Sequence, residues 1–137
     1  MRQLSRDQLI TTLRYQLGRL GPSARKKLVS RDQAVRMRWA EIVAETIADQ
    51  ALHRFEIYGD DPVSRADVIA ELRPHIASLR TDVLQMLDSH DARTRVRGAD
   101  IIAAILTDKA LVRYEILTDA PLPPGEQPGI TVNGRLE

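Results

Sequence analysis

The stretch Met37-Arg-Trp-Ala-Glu-Ile-Val-Ala-Glu-Thr-Ile-Ala-Asp-Gln-Ala-Leu-His-Arg-Phe-Glu-Ile-Tyr-Gly-Asp-Asp-Pro62 decides the fold, because the chain carries it twice. Shifted by 59 residues it falls on Val96 to Pro121 with 12 of 26 positions identical; ordinary composition gives about one in fifteen. The match runs without a gap from Ser5 to Pro62 against Ser64 to Pro121. An internally duplicated helical unit predicts stacked units, an architecture that offers surfaces rather than a reaction centre.

A finer period lies inside the long one. Arg6, Arg36, Arg65 and Arg95 are each followed three, four and seven residues on by apolar positions: Leu9, Ile10, Leu13; Trp39, Ala40, Val43; Val68, Ile69, Leu72; Gly98, Ala99, Ile102. Residues so spaced share one helix face, so four amphipathic helices are expected. Ser5 with Gln8, Ser30 with Gln33 and Ser64 with Asp67 offer N-terminal capping chemistry. Shorter helices are expected at about Pro22 to Val29, Gln50 to Tyr58, Leu79 to Ser89 and Lys109 to Leu117. In the second and fourth of these, polar and apolar residues partly alternate, so strand is the alternative to the preferred helix. Gly59 is expected to end the segment before it, and Pro74 to kink or split the third long helix near Arg73.

After Asp119 the composition changes. Ala120 to Gly129 holds four of the seven prolines, so this part should run extended or in turns. Ile130-Thr-Val132 then reads as a short strand before the turn signal Asn133-Gly134. The expected organisation is a helical domain over 1–119, with halves 5–62 and 64–121, followed by an extended tail over 120–137. Pro121, Leu122, Pro123, Ile130 and Val132 are the expected tail contacts with a neighbouring surface.

With 137 residues, 43% hydrophobic and 28% charged, the chain suits one soluble domain that folds without a disulfide or metal. No apolar run exceeds the six residues Ile101 to Leu106, far short of a membrane span. The absence of cysteine and of an apolar leader at the N-terminus points to a cytoplasmic protein, or to a virion component if the origin is viral. Net charge is +1 but unevenly placed. Arg14 to Arg38 holds eight basic residues against Asp32 alone, and Glu41 to Glu71 holds eight acids against Arg54 and Arg65. Such polarity suits steering of a charged partner or head-to-tail self-association, and equally a set of solvated helix faces. The preponderance of Arg over Lys, 17 to three, suits forked guanidinium contacts and equally a GC-rich genome.

Leu28-Val-Ser-Arg-Asp32-Gln-Ala-Val35-Arg36-Met-Arg-Trp-Ala40 resembles HEAT-like helical repeats, whose pattern is a leucine-rich helix end, an Asp-containing turn, Val-Arg and an Ala-rich second helix. Leu87 to Ile102, with Asp91 and Arg95, and Tyr58 to Leu72, with Asp61 and Arg65, look like further copies. The resemblance covers Ser5 to Leu117 and implies an all-α, right-handed stack of antiparallel helix pairs. It also implies a ladder between repeats in which Asp32, Asp61 and Asp91 accept from Arg36, Arg65 and Arg95. Gly98, where a larger apolar residue is usual, and Pro74 depart from the pattern. A compact helical bundle of two related halves is the rival architecture.

No catalytic signature appears. There is no cysteine thiolate, no Gly-x-Ser-x-Gly elbow, no phosphate-binding Gly-rich loop and no His pair at zinc-ligand spacing. His53, His75 and His90 read as surface histidines and Asp60-Asp61 as a turn, so no enzyme, cofactor or metal is expected. Arg36 and Arg38, with Arg93, Arg95 and Arg97 at the aligned place, are the best binding candidates, joined by Arg25, Lys26 and Lys27. The plainer reading assigns Arg36 and Arg95 to the ladder, leaves the rest solvated and puts Trp39 in the core. The expected function is a non-enzymatic binding or assembly module for a protein partner or a second copy of the chain, as adaptor or structural component. The alternative is a nucleic-acid binder using the arginine clusters.

Overall fold

In the computed structural model, which describes residues 1–120, 131–132 and 135–136, the chain is mostly helical and carries a small antiparallel sheet. The first half runs β1 (Arg2–Gln3), α1 (Arg6–Gly18), α2 (Pro22–Leu28), α3 (Gln33–Thr46), a π-helical turn (Ile47–Ala51) and β2 (Glu56–Tyr58). The second repeats it as α4 (Arg65–Ala77), α5 (Thr81–Leu87), α6 (Ala92–Ile105), a π-helical turn (Leu106–Ala110) and β3 (Glu115–Thr118). Two further strands, β4 (Thr131–Val132) and β5 (Arg135–Leu136), pair antiparallel on either side of the Asn133-Gly134 turn signal.

Capping fixes the helix starts. Ser5 and Ser64 each form a complete capping box, with Gln8 and Asp67 reaching back to the cap amide, a device worth about 0.5–2 kcal/mol per cap. At α3 the expected cap is displaced from Ser30 to Asp32, whose carboxylate accepts from the amides of Ala34 and Val35. Asp91 does the same for α6 through Thr94. Ser30 and Ser89, two residues upstream, instead accept from the amides of Asp32 and Asp91. Helix α4 continues through Pro74 to Ala77 rather than splitting at Arg73.

The segments over 50–58 and 109–117 are not helices. Each begins as a π-turn that prolongs the preceding helix and, after a short loop, becomes a strand, so an all-α description must admit a sheet. The sheet order is β1-β3-β2. Ile57 lies opposite Ile116, its own equivalent 59 residues on, while Glu56 faces Leu117 and Tyr58 faces Glu115. A residue can face its own repeat mate in an antiparallel pair only at a pseudo-twofold axis, which therefore passes between Ile57 and Ile116. The flanks obey the same axis. Leu4 donates to the Ile116 carbonyl as Val63 donates to that of Ile57, both at 2.8 Å, and the bridge of Tyr58 to Pro62 mirrors the pairing of Leu117 with Gln3.

Helix packing corrects the expected stack. A linear pile of repeats would set α1 beside α3; instead α1 packs on α6, and α4 on α3. Each half lends its first helix to the other, and the rival two-halved bundle describes the architecture. One continuous core results, in which repeat mates are buried together: Leu13 with Leu72, Val43 with Ile102, Ile47 with Leu106, Leu52 with Leu111. A buried aliphatic side chain of this size contributes about 1.5–3 kcal/mol.

One core pair breaks the symmetry. Trp39 of α3 is half-buried against the core, whereas its mate Gly98 of α6 is fully buried beneath α5. A Cβ on Gly98 would lie 2.8 Å from the Leu87 backbone nitrogen. The glycine therefore lets α5 lie directly on the α6 backbone, a closeness that the Trp39 side chain denies to α2 and α3.

Candidate functional site

The arginines divide into those held by the fold and those left to solvent. Arg6 grips Asp108 with two hydrogen bonds of 2.7 Å, and Arg65 grips Asp49 at 2.5 and 2.8 Å. These fork-to-carboxylate pairs are mates about the pseudo-axis, each joining a first helix to the opposite π-turn. They hold the Asp49 and Asp108 carboxyls below the usual carboxylate range, chiefly through the guanidinium hydrogen bonds, and raise the two arginines. Arg14 with Asp100 at 3.5 Å and Arg73 with Glu41 at 3.1 Å form a second mated set, and Arg113 bonds Glu71.

The expected ladder is replaced by these pairs. Asp32 and Asp91 are spent as caps, and Arg65 turns to Asp49. The side chain of Asp61 is exposed in its turn and takes no part in a hydrogen bond or ion pair among the described residues. Hydrogen bonding to the Thr94 hydroxyl and amide lowers the Asp91 carboxyl. Arg36 folds back onto the Ser30 carbonyl at 2.7 Å, and Arg95 onto those of Ser89 and His90 at 2.9 and 3.0 Å. Both are half-buried clamps on the loop before their own helix.

Of the predicted binding residues, Arg38, Arg93, Arg97, Lys26 and Lys27 are exposed and make no hydrogen bond or ion pair among the described residues. Arg31, which the sequence did not single out, joins them. Arg25 is drawn inward, donating to the Leu20 carbonyl at 3.3 Å with its Nε 3.6 Å from Asp88. Helices α2 and α5 touch, and α3 and α6 both start beside them, so the free cations share the end of the molecule opposite the sheet. Gly18 to Arg38 holds seven basic residues against one acid there, and Ala77 to Arg97 four against three. The tail residues Pro121, Leu122, Pro123 and Ile130 lie outside the described residues, and Val132 is in β4.

Sequence reasoning missed the exposed apolar positions along the cross-half seams. Tyr15 of α1 is 64% exposed and Val96 of α6 57%, and together they line a groove of about 430 Å³. Arg19 stacks over the Tyr15 ring, 5.5 Å from its centroid, and donates to its hydroxyl. In the other seam, α4 on α3, the mates are Pro74 and Met37, also exposed, Met37 by 41%. The signal was present in the sequence as two apolar residues that fall off the buried stripe at one repeat register.

No family model, curated protein or solved structure matches this chain. The HEAT-like resemblance rests on its motifs alone. Among the described residues there is no group of three or more potential metal ligands, and no helix is long and apolar enough to cross a membrane.

Proposed function

We propose that the chain is a non-enzymatic binding and assembly module, built from a duplicated helical unit, that docks protein partners along its two cross-half seams. The observation that carries this reading is that Tyr15 and Val96, which share a groove across one seam, are exposed, and that their repeat mates Pro74 and Met37, on the helices of the other seam, are exposed as well. Single exposed apolar side chains are ordinary on a soluble protein. The same pair of positions left uncovered twice is a surface shaped for contact. The wild-type chain and a Met37→Glu, Val96→Glu double variant are compared by crosslinking in the source cell and by sedimentation. Crosslinks or self-association lost in the variant support the reading; an identical pattern with unchanged circular dichroism refutes it.

A second reading is favoured by the free cations Arg31, Arg38, Arg93, Arg97, Lys26 and Lys27 at one end: nucleic-acid binding through phosphates. Affinity for duplex DNA that falls steeply between 50 and 200 mM salt, about 10³-fold or more for six phosphate contacts, is its mark. No affinity at low salt removes it.

A further inference from the structure

We infer that the α1–α6 groove is a docking site for an acidic amphipathic helix of a partner protein; the inference rests on the protein-binding reading above and gives its partner a chemistry. The floor of the groove is apolar and shallow: Tyr15 and Gly18 from α1, Ala92, Val96 and Ala99 from α6. Its charged lining residues are Arg14, Arg19 and Arg95, with no acid among them. Arg95 is anchored to loop carbonyls and Arg14 leans 3.5 Å from Asp100 at the rim, while Arg19 has its guanidinium over Tyr15 and no carboxylate partner among the described residues. An occupant that complements this site carries carboxylates beside an apolar stripe.

The shape selects a helix. On α1 the lining positions are Thr11, Arg14, Tyr15 and Gly18, and on α6 Ala92, Arg95, Val96 and Ala99, the three- and four-residue steps of one helix face. A third helix fits between two such faces by laying its own ridge into the groove. An extended peptide gains main-chain bonds only at a strand edge, and the groove wall is helical on both sides. The apolar floor of Tyr15, Gly18, Ala92, Val96 and Ala99 favours an occupant with an apolar stripe over a phosphate chain, which has none to lay on it.

The test is selection from a random 16-residue peptide library displayed on phage, with the whole chain as bait. Enriched peptides are expected to carry Leu, Ile, Met or Phe at positions i, i+4 and i+7 flanked by Asp and Glu. Synthesised, they should bind the wild type at least tenfold more tightly than Val96→Asp and than Arg19→Glu, with Met37→Asp close to wild type. Both substituted groove residues are exposed, and circular dichroism checks that each variant folds. Enrichment of basic, neutral or proline-rich sequences overturns the inference, as does equal binding by the groove variants. An oligothymidylate that shifts the Tyr15 and Val96 amide resonances while no peptide is enriched also overturns it, in favour of nucleic acid. If nothing is enriched but the Met37→Glu, Val96→Glu variant loses its cellular crosslinks, the acidic-helix inference fails and the binding-module reading stands.

Discussion

Replacing Gly98 with alanine should destabilise a protein that helix propensity alone says it should help. Alanine in a helix interior is favoured over glycine by about 1 kcal/mol. Against that, the added Cβ would meet the Leu87 nitrogen at 2.8 Å, the Met86 Cβ at 3.0 Å and the Met86 carbonyl carbon at 3.1 Å. Ordinary contact begins near 3.4 Å, so α5 must retreat by about 0.6 Å. Two of the three atoms are backbone and cannot rotate aside. The retreat also loosens Leu84 and Leu87, both buried. Overpacking of this kind costs about 1–3 kcal/mol, and with backbone opposing it the upper part of that range applies. The net loss is therefore about 1–2 kcal/mol, or about 4–8 °C in melting temperature for a chain of this size. Urea and thermal unfolding followed by circular dichroism read it directly. Gly18→Ala is the control: nothing lies within 4 Å of a Cβ there, so that change should be neutral or mildly stabilising. A Gly98→Ala protein as stable as the Gly18→Ala control would refute the claim that α5 lies on the α6 backbone.

Leu13→Ala and Leu72→Ala, mates at full burial, should each cost about 3–5 kcal/mol and by similar amounts, measured by urea unfolding. The Thr107 hydroxyl is buried without a hydrogen-bond partner among the described residues, and its mate is Ala48. Thr107→Val should therefore raise stability by about 1 kcal/mol, where an ordinary buried hydroxyl would be missed. Asp49→Asn with Asp108→Asn tests the crossed ion pairs by acid unfolding. Their carboxyls titrate lower in the fold than in the unfolded chain, so their contribution is present above the ordinary Asp value near pH 3.9 and disappears as pH falls through the lower folded values. The variant should be less stable than wild type at pH 7, and the difference should shrink as pH falls through the lowered folded values.

Local chemistry was readable wherever it decided the outcome. The long helices appear where apolar residues recur around Leu9, Val43, Leu72 and Ile102, and the Ser5 and Ser64 boxes mark their starts because a capping side chain acts within three residues of itself. Strands β2 and β3 were harder to read. A three-residue strand holds no preference of its own, and Ile57 becomes extended only because Ile116 comes to meet it. The ladder failed for a related reason. Asp32 is close enough to its own helix start to cap it, which satisfies the carboxylate locally, whereas Asp49 and Asp108 find Arg65 and Arg6 through the crossing of halves. Arg36 and Arg95 showed equal spacing but not that a loop carbonyl would claim them. The groove residues Tyr15 and Val96 sit in different halves, and only the pairing of α1 with α6 makes them neighbours.

The exchange of first helices has a consequence for how the protein is made. Synthesis delivers α1 well before α6, with Leu9, Leu13 and Leu17 ready to be covered; the π-turn Ile47–Ala51 meets α1 first, but α6, its main cover, does not begin until Ala92. At about 5–20 residues per second, translation leaves that oily stripe waiting for several seconds. During this interval the nascent chain is open to chaperones and to a neighbouring polysome's copy of the same segment. An identical α6 from a second chain can satisfy it by the contacts that close the monomer, so crowded expression should yield interlocked dimers alongside the single-chain form.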